Sequence, residues 1–239
     1  MITFQRKALL QFYDEKHAEA FESRHRGSNV SAITGVIGEE LLLALFLDCL
    51  RRRDGVHGSV LHAKPRRPAE NANGTRIRGN WLDAWLKLPP ERLGLVEVKN
   101  WSVHSLSGGA SLVHDAPDEE VQVIAKARWT LYFGKGHQKM PTSVKKILHD
   151  YPFPPGYGTA TPVERILCFW QPISLTGTDA RSRAEICGKN ITVFSGSIYL
   201  RQVEDEQLEL HCPRIEERLT ALGQLCTPGP RAPALRAVA

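Results

Sequence analysis

The sequence predicts an α/β protein with a mixed central sheet flanked by helices, and three observations carry that prediction. A long run from Ser31 to Arg53, apolar over most of its circumference, has the length and character of a central helix. Two apolar runs of strand length, Trp81–Leu88 and Leu93–Val98, flank the turn signal Pro89-Pro90-Glu91-Arg92. A second helical pattern, Asp118 to Phe133, is then followed by the apolar strand Val163 to Trp170.

In chain order, residues 3–26 place Phe4, Ala8, Leu9, Phe12, Tyr13, Ala20 and Phe21 at helical spacing, with a charged opposite face. A helix packed on the core is expected there, ended by Gly27-Ser28-Asn29, so that residues 1–29 form a helical extension before the main domain of 30–226. The Ser31–Arg53 helix carries Glu39 and Glu40 among apolar neighbours, and its C-terminal Arg51, Arg52 and Arg53 complement the helix dipole. Gly58–Ala63 reads as a first strand, and the Pro-, Asn- and Gly-rich stretch 64–79 reads as a loop. After the two central strands, a loop with the pair Gly108-Gly109 contains His104 and His114, which can serve as acid, base or ligand or be ordinary loop histidines. The helix from Asp118 is expected to be capped by Asp118, with Glu119 and Glu120 favourable in its first turn.

Residues 134–162 read as an insertion with a short helix at 142–150. Lys135, His137, Lys139, Lys145 and Lys146 mix there with Tyr132, Phe133, Tyr151, Phe153 and Tyr157. Such a mixture grips a single strand by backbone attraction and stacking, or forms a solvated loop with buried aromatic anchors. Ile191–Leu200 reads as a further strand, Pro213–Leu222 as a final helix, and 227–239 as a disordered tail.

Chemistry concentrates between Trp81 and Trp101. Strand residues at i and i+2 share a face, so Glu97 and Lys99 point one way while Val96 and Val98 point the other. Asp83 is the acid of the preceding apolar strand. Ionised groups in such strands are costly unless paired or metal-bound, and two carboxylates with one ammonium leave the set net negative. A hard cation such as Mg²⁺, with its oxygen ligands and retained waters, completes it. Glu-x-Lys alone is a common tripeptide whose geometry strand periodicity explains without function. Asp83 on its own strand, with thirteen residues between it and Glu97, makes the pattern specific.

Asp83 followed by Glu97-Val98-Lys99 resembles the PD-(D/E)XK motif of the restriction-endonuclease-like nuclease superfamily, with Leu82 in place of the motif's proline. The resemblance covers roughly residues 30–172. It implies an αβββαβ core and a nuclease that hydrolyses nucleic-acid phosphodiesters, DNA rather than RNA, with Mg²⁺ or Mn²⁺. It further implies that Asp83 and Glu97 are metal ligands, that Lys99 orients the attacking water, and that a glutamate of the first helix, Glu39 in preference to Glu40, joins the metal shell. The alternative for Glu39 is an ion pair with an arginine at a helix edge. In the same superfamily a polar residue of the second helix faces the metal, for which Gln122 and Lys126 match. Members serve restriction, repair, recombination and defence against mobile DNA, and inactive members only bind nucleic acid or assemble with partners.

Composition sets the partners. A net charge of +5 favours a polyanion, and 42% hydrophobic with 24% charged residues is ordinary for a soluble globular chain. Between Arg51 and Arg78 eight basic residues face two acidic ones. Arg66, Arg67, Arg76 and Arg78 are the candidates for phosphate contact there, unless the stretch is merely a solvated loop. Five scattered cysteines without Cys-x-x-Cys spacing suggest neither zinc nor disulfides and fit a cytoplasmic protein. The longest apolar run, Leu41–Leu47, is too short to span a bilayer, so no membrane partner is expected. Without a Gly-x-x-x-x-Gly-Lys-Ser/Thr motif, energy-driven translocation would need a partner ATPase or helicase, and cutting both strands at once would need a homodimer.

Overall fold

A computed structural model describes residues 1–12, 28–63, 65–70, 76–99, 114–134 and 142–225. The main sheet has six strands in the order β2 (Ser59–Ala63), β5 (Ala84–Leu88), β6 (Arg92–Lys99), β7 (Val163–Phe169), β9 (Lys189–Ser195) and β8 (Arg181–Ile186). β6, β7 and β9 run parallel, and the pairs β2–β5, β5–β6 and β8–β9 are antiparallel. The sheet is therefore mixed, as its composition of short hairpins and one helical crossover requires.

Side-chain alternation divides the core into two layers. Val96 and Val98 of β6, with Ala84, Leu86 and Leu88 of β5, bury against the apolar side of helix α1 (Ser28–Asp54), including Leu42, Leu45 and Phe46. Leu93 and Leu95, with Trp85, Leu167 and Phe169, face the other way and meet Trp129, Tyr132 and Phe133 of α2 (Asp118–Phe133). Glu97 and Lys99 share the parity of Leu93 and Leu95 and continue that second face.

Several elements differ from the sequence expectation. Residues 2–5 are not helical but form strand β1 (Ile2–Gln5), whose alternating pattern pairs antiparallel with β10 (Gln207–Leu210). A helical stretch follows at 6–12, and Leu9 and Leu10 join the main core, as expected of a helix packed on it. The basic stretch expected as a loop is a hairpin, β3 (Arg66–Glu70) with β4 (Arg76–Trp81). Strand β9 stops at Ser195, where the expected strand continues to Leu200. The Ser195 hydroxyl accepts from the Ile198 amide and caps the short helix α4 (Gly196–Gln202), and Gly196 approaches Leu42 so closely that a Cβ would lie 2.5 Å from its Cδ1. Helix α2 has Pro117, not Asp118, at its N-cap, because Asp118 pairs with Arg201 of α4 instead. The insertion holds a turn of helix, α3 (Thr142–Lys145), and a 3₁₀ turn (Lys146–Leu148), and the chain closes through β10 into α5 (Pro213–Leu225). Tyr132, Phe133 and Tyr151 are buried, and Phe153 stacks on Trp85 with centroids 6.0 Å apart. These rings anchor the insertion to the core and do not offer a stacking surface.

Candidate functional site: a buried carboxylate between two lysines

The strand that ends at Lys99 brings Glu97 to the sheet interior, where it is only 1% exposed. A carboxylate so placed must find cationic partners or stay protonated. It finds two. The Lys99 ammonium donates to Glu97 Oε1 from the same face of β6, and the Lys146 ammonium, from the 3₁₀ turn, lies 2.7 Å from the same oxygen. Ile147, fully buried next in sequence, fixes the turn that presents Lys146. Lys146 Nζ also donates to the Trp81 carbonyl at 2.5 Å, at the end of the basic hairpin. Glu97 Oε2, in contrast, is buried with no hydrogen-bond partner.

Asp83 occupies the bend between β4 and β5, not the interior of a strand. Its amide donates to the Val96 carbonyl at 3.0 Å and its Oδ2 accepts from the Val98 amide at 2.6 Å. Both bonds hold the bend across β6, flanking Glu97 in sequence. Burial is the main cause that pushes the Glu97 carboxyl up to about 7; the Asp83 charge adds to it, while Lys99 and Lys146 oppose it. Such a value beside a specific set of charges is the electrostatic mark of functional sites, although structural ion pairs share it.

On the α1 side, Asp83 also lines a cavity of about 400 Å³ together with Glu39 and Glu40. The two glutamates divide their work. Glu40 accepts the Arg214 and Ile215 amides, both at 2.8 Å, and so caps helix α5, whose first amides have no intrahelical partner. Glu39 lines the cavity shared with Asp83. Glu40→Ala is accordingly expected to destabilise the protein by about 1–2 kcal/mol relative to wild type in urea denaturation. Unchanged stability in Glu40→Ala would remove the capping role.

The remaining candidates lie apart from Glu97. Arg66, Arg67, Arg76 and Arg78 stand on the β3–β4 hairpin, with Arg66 opposite Trp81 and Arg76 opposite Glu70, and their side chains lie outside the described residues. Lys126 is exposed on α2, with Cε beside the turn at Gly177, and Gln122 is half-buried against the same turn. Arg51 and Arg52 are committed to Asp48, at 2.5 and 2.9 Å, within a buried network that includes the Tyr199 hydroxyl at 2.6 Å. Asp48 thus offsets part of their charge, while Arg51, 46% exposed at its side chain, stays on the surface. His114 pairs with Asp115 at 3.0 Å, while His104 lies outside the described residues. Lys146 is the site residue that sequence reasoning placed elsewhere, among the bases and aromatics of the insertion. Nothing local marks it, since it reaches Glu97 only through the fold.

The donor set suits a hard cation, being carboxylate oxygen with one buried, unpartnered acceptor at Glu97 Oε2. Among the described residues no group of three His, Cys, Asp or Glu side chains is close enough to hold a metal by protein ligands alone.

Fold and site together define a mixed α/β protein with a buried carboxylate–lysine centre on its central sheet. Compared with known proteins, the chain matches no protein-family model, no curated protein and no solved structure. No helix among the described residues is long and apolar enough to cross a membrane.

Proposed function

We propose that this protein is a metal-dependent nuclease that hydrolyses phosphodiester bonds of nucleic acid, DNA in preference to RNA. The observation that carries the reading is the buried Glu97–Lys99 pair on β6 with Asp83 bonded across the same strand. The element order α1, β2, β5, β6, α2, β7 supports it, being the αβββαβ order that the motif resemblance implies, with the β3–β4 hairpin inserted.

In the proposed reaction a water molecule attacks phosphorus, a P–O bond to the leaving sugar oxygen breaks, and one product keeps the phosphate. Asp83 and Glu97 would hold Mg²⁺ or Mn²⁺, with Glu39 as the accessory acid approaching from the α1 side of the sheet, where it lines the cavity beside Asp83. Bound there, the cation supplies Lewis-acid stabilisation of the charge that develops on the phosphoryl oxygens. Lys99 would orient the attacking water from its fixed position beside Glu97, while the water's proton passes to solvent and the leaving sugar oxygen takes one up from solvent. Arg66, Arg67, Arg76, Arg78 and Lys126 contribute sequence-independent attraction for the phosphate backbone. A cytoplasmic role in defence or DNA processing follows from the resemblance, with a second copy needed for concerted double-strand cuts and a partner ATPase or helicase for any translocation.

One observation favours a second reading, a nuclease-like fold that binds or assembles without cutting. Glu97 already has two ammoniums on one oxygen. The deciding experiment incubates plasmid, single-stranded DNA and RNA with the protein in Mg²⁺, in Mn²⁺ and in chelator. Metal-dependent cutting, abolished by chelator, is the expected result. Retention of nucleic acid in every condition without cutting would replace the nuclease by the binding module.

A further inference from the structure

Two ammoniums converge on Glu97 Oε1, and the chemistry proposed for the site uses only one of them. Lys99 comes from the same strand two residues on, but Lys146 comes from the inserted 3₁₀ turn and closes the site from outside the sheet. Its side chain is 22% exposed, and its ammonium has a second anchor, the Trp81 carbonyl at 2.5 Å. An ammonium 2.7 Å from a ligand oxygen opposes any cation that seeks the same carboxylate.

We propose that Lys146 is a positioning residue that serves as the counter-cation of Glu97 until a divalent cation replaces it, so that ammonium and metal alternate on this carboxylate. The inference rests on the nuclease reading for the identity of the metal. Glu97 Oε2, buried and unpartnered, is the oxygen at which the exchange begins, because Oε1 is already occupied. The Trp81 carbonyl keeps the displaced ammonium tethered, with two of its three donors released for a phosphate oxygen. Lys146 thereby neutralises a buried carboxylate in the resting protein and becomes a phosphate contact in the loaded one. The exchange also ties metal loading to the basic β3–β4 hairpin, whose last residue is Trp81.

The test is a Mn²⁺ titration, by calorimetry and by the electron-spin signal of free Mn²⁺, on wild type, Lys146→Met, Lys146→Gln and Lys146→Arg. Removing the charge in Met or Gln is expected to tighten Mn²⁺ binding by about tenfold, and Arg to leave it near wild type. Gln retains a donor for the Trp81 carbonyl and guards against a Met variant that fails to fold. In a parallel cleavage assay Met and Gln should be slower than wild type despite the tighter metal, a combination that simple structural damage does not produce. If Mn²⁺ binding is unchanged or weaker in both neutral variants, or absent from all four proteins, the exchange is overturned. If binding tightens but neither wild type nor any variant cuts nucleic acid, the exchange stands and the nuclease reading falls.

Discussion

Lys99→Ala is expected to lower metal-dependent cleavage by roughly 10²–10³-fold while leaving the protein folded, the usual scale for removing one preorganised group that acts on developing charge. The size follows from position. Lys99 ends β6 on the face of Glu97, 12% exposed at its side chain, where a charged group acts through a poorly screening environment. Circular dichroism and urea denaturation of the variant establish that the fold is retained, because Leu93, Leu95, Val96 and Val98 continue to hold the strand. Lys99→Arg should recover little, since a planar guanidinium does not reproduce the point charge of an ammonium at Glu97. Cleavage by Lys99→Ala at the wild-type rate would move the chemistry away from β6 altogether.

Glu97→Gln is the second large effect, and its sign is opposite to that of an ordinary stabilising ion pair. The Glu97 carboxyl is raised from an ordinary value of 4.5 to about 7, with burial as the first cause. Between those two values the folded protein binds a proton that the unfolded chain has released. Stability from this group is therefore complete below about pH 4.5 and is lost as the pH rises through 7. Above that pH the ionised group costs about 3 kcal/mol, the opposing effect of the two ammoniums being already contained in the shift. Glu97→Gln should thus be more stable than wild type by about 3 kcal/mol at pH 8 and close to it near pH 4.5. Denaturation curves at both pH values decide the matter. A variant less stable than wild type at pH 8 would make Glu97 a structural anchor and the site an ion-pair cluster. The expected outcome, a stabilised and inactive protein, is the trade of stability for chemistry that active sites carry.

The Trp81–Lys99 stretch shows how far local signals reach. Strand alternation alone puts Glu97 and Lys99 on one face, and Pro89-Pro90 marks the turn of the hairpin, so β5, β6 and the Glu97–Lys99 pair were legible directly. Helices α1, α2 and α5 were equally plain, since their apolar spacing is set within the helix itself. Strands β1, β8 and β10 were not. Ile2–Gln5 is short and its helical-looking neighbours outweigh it, and only the pairing with Gln207–Leu210, some two hundred residues away, makes it a strand. The Ser195–Gly196 break was hidden for a similar reason, because the approach of Gly196 to Leu42 belongs to the packed core and not to the local sequence.

For the site the division is sharper. The amino-acid sequence by itself put Glu97 and Lys99 on one face of β6, because residue type and a period of two are local properties, whereas Asp83, read as a strand residue, lies in the bend before β5. Tertiary structure alone decided that Glu40 caps α5, since both glutamates look alike on the isolated helix. It alone paired Arg51 and Arg52 with Asp48 and brought Lys146 to Glu97. A buried charge takes whichever counter-charge the fold carries to it, and sequence distance says nothing about which one that will be.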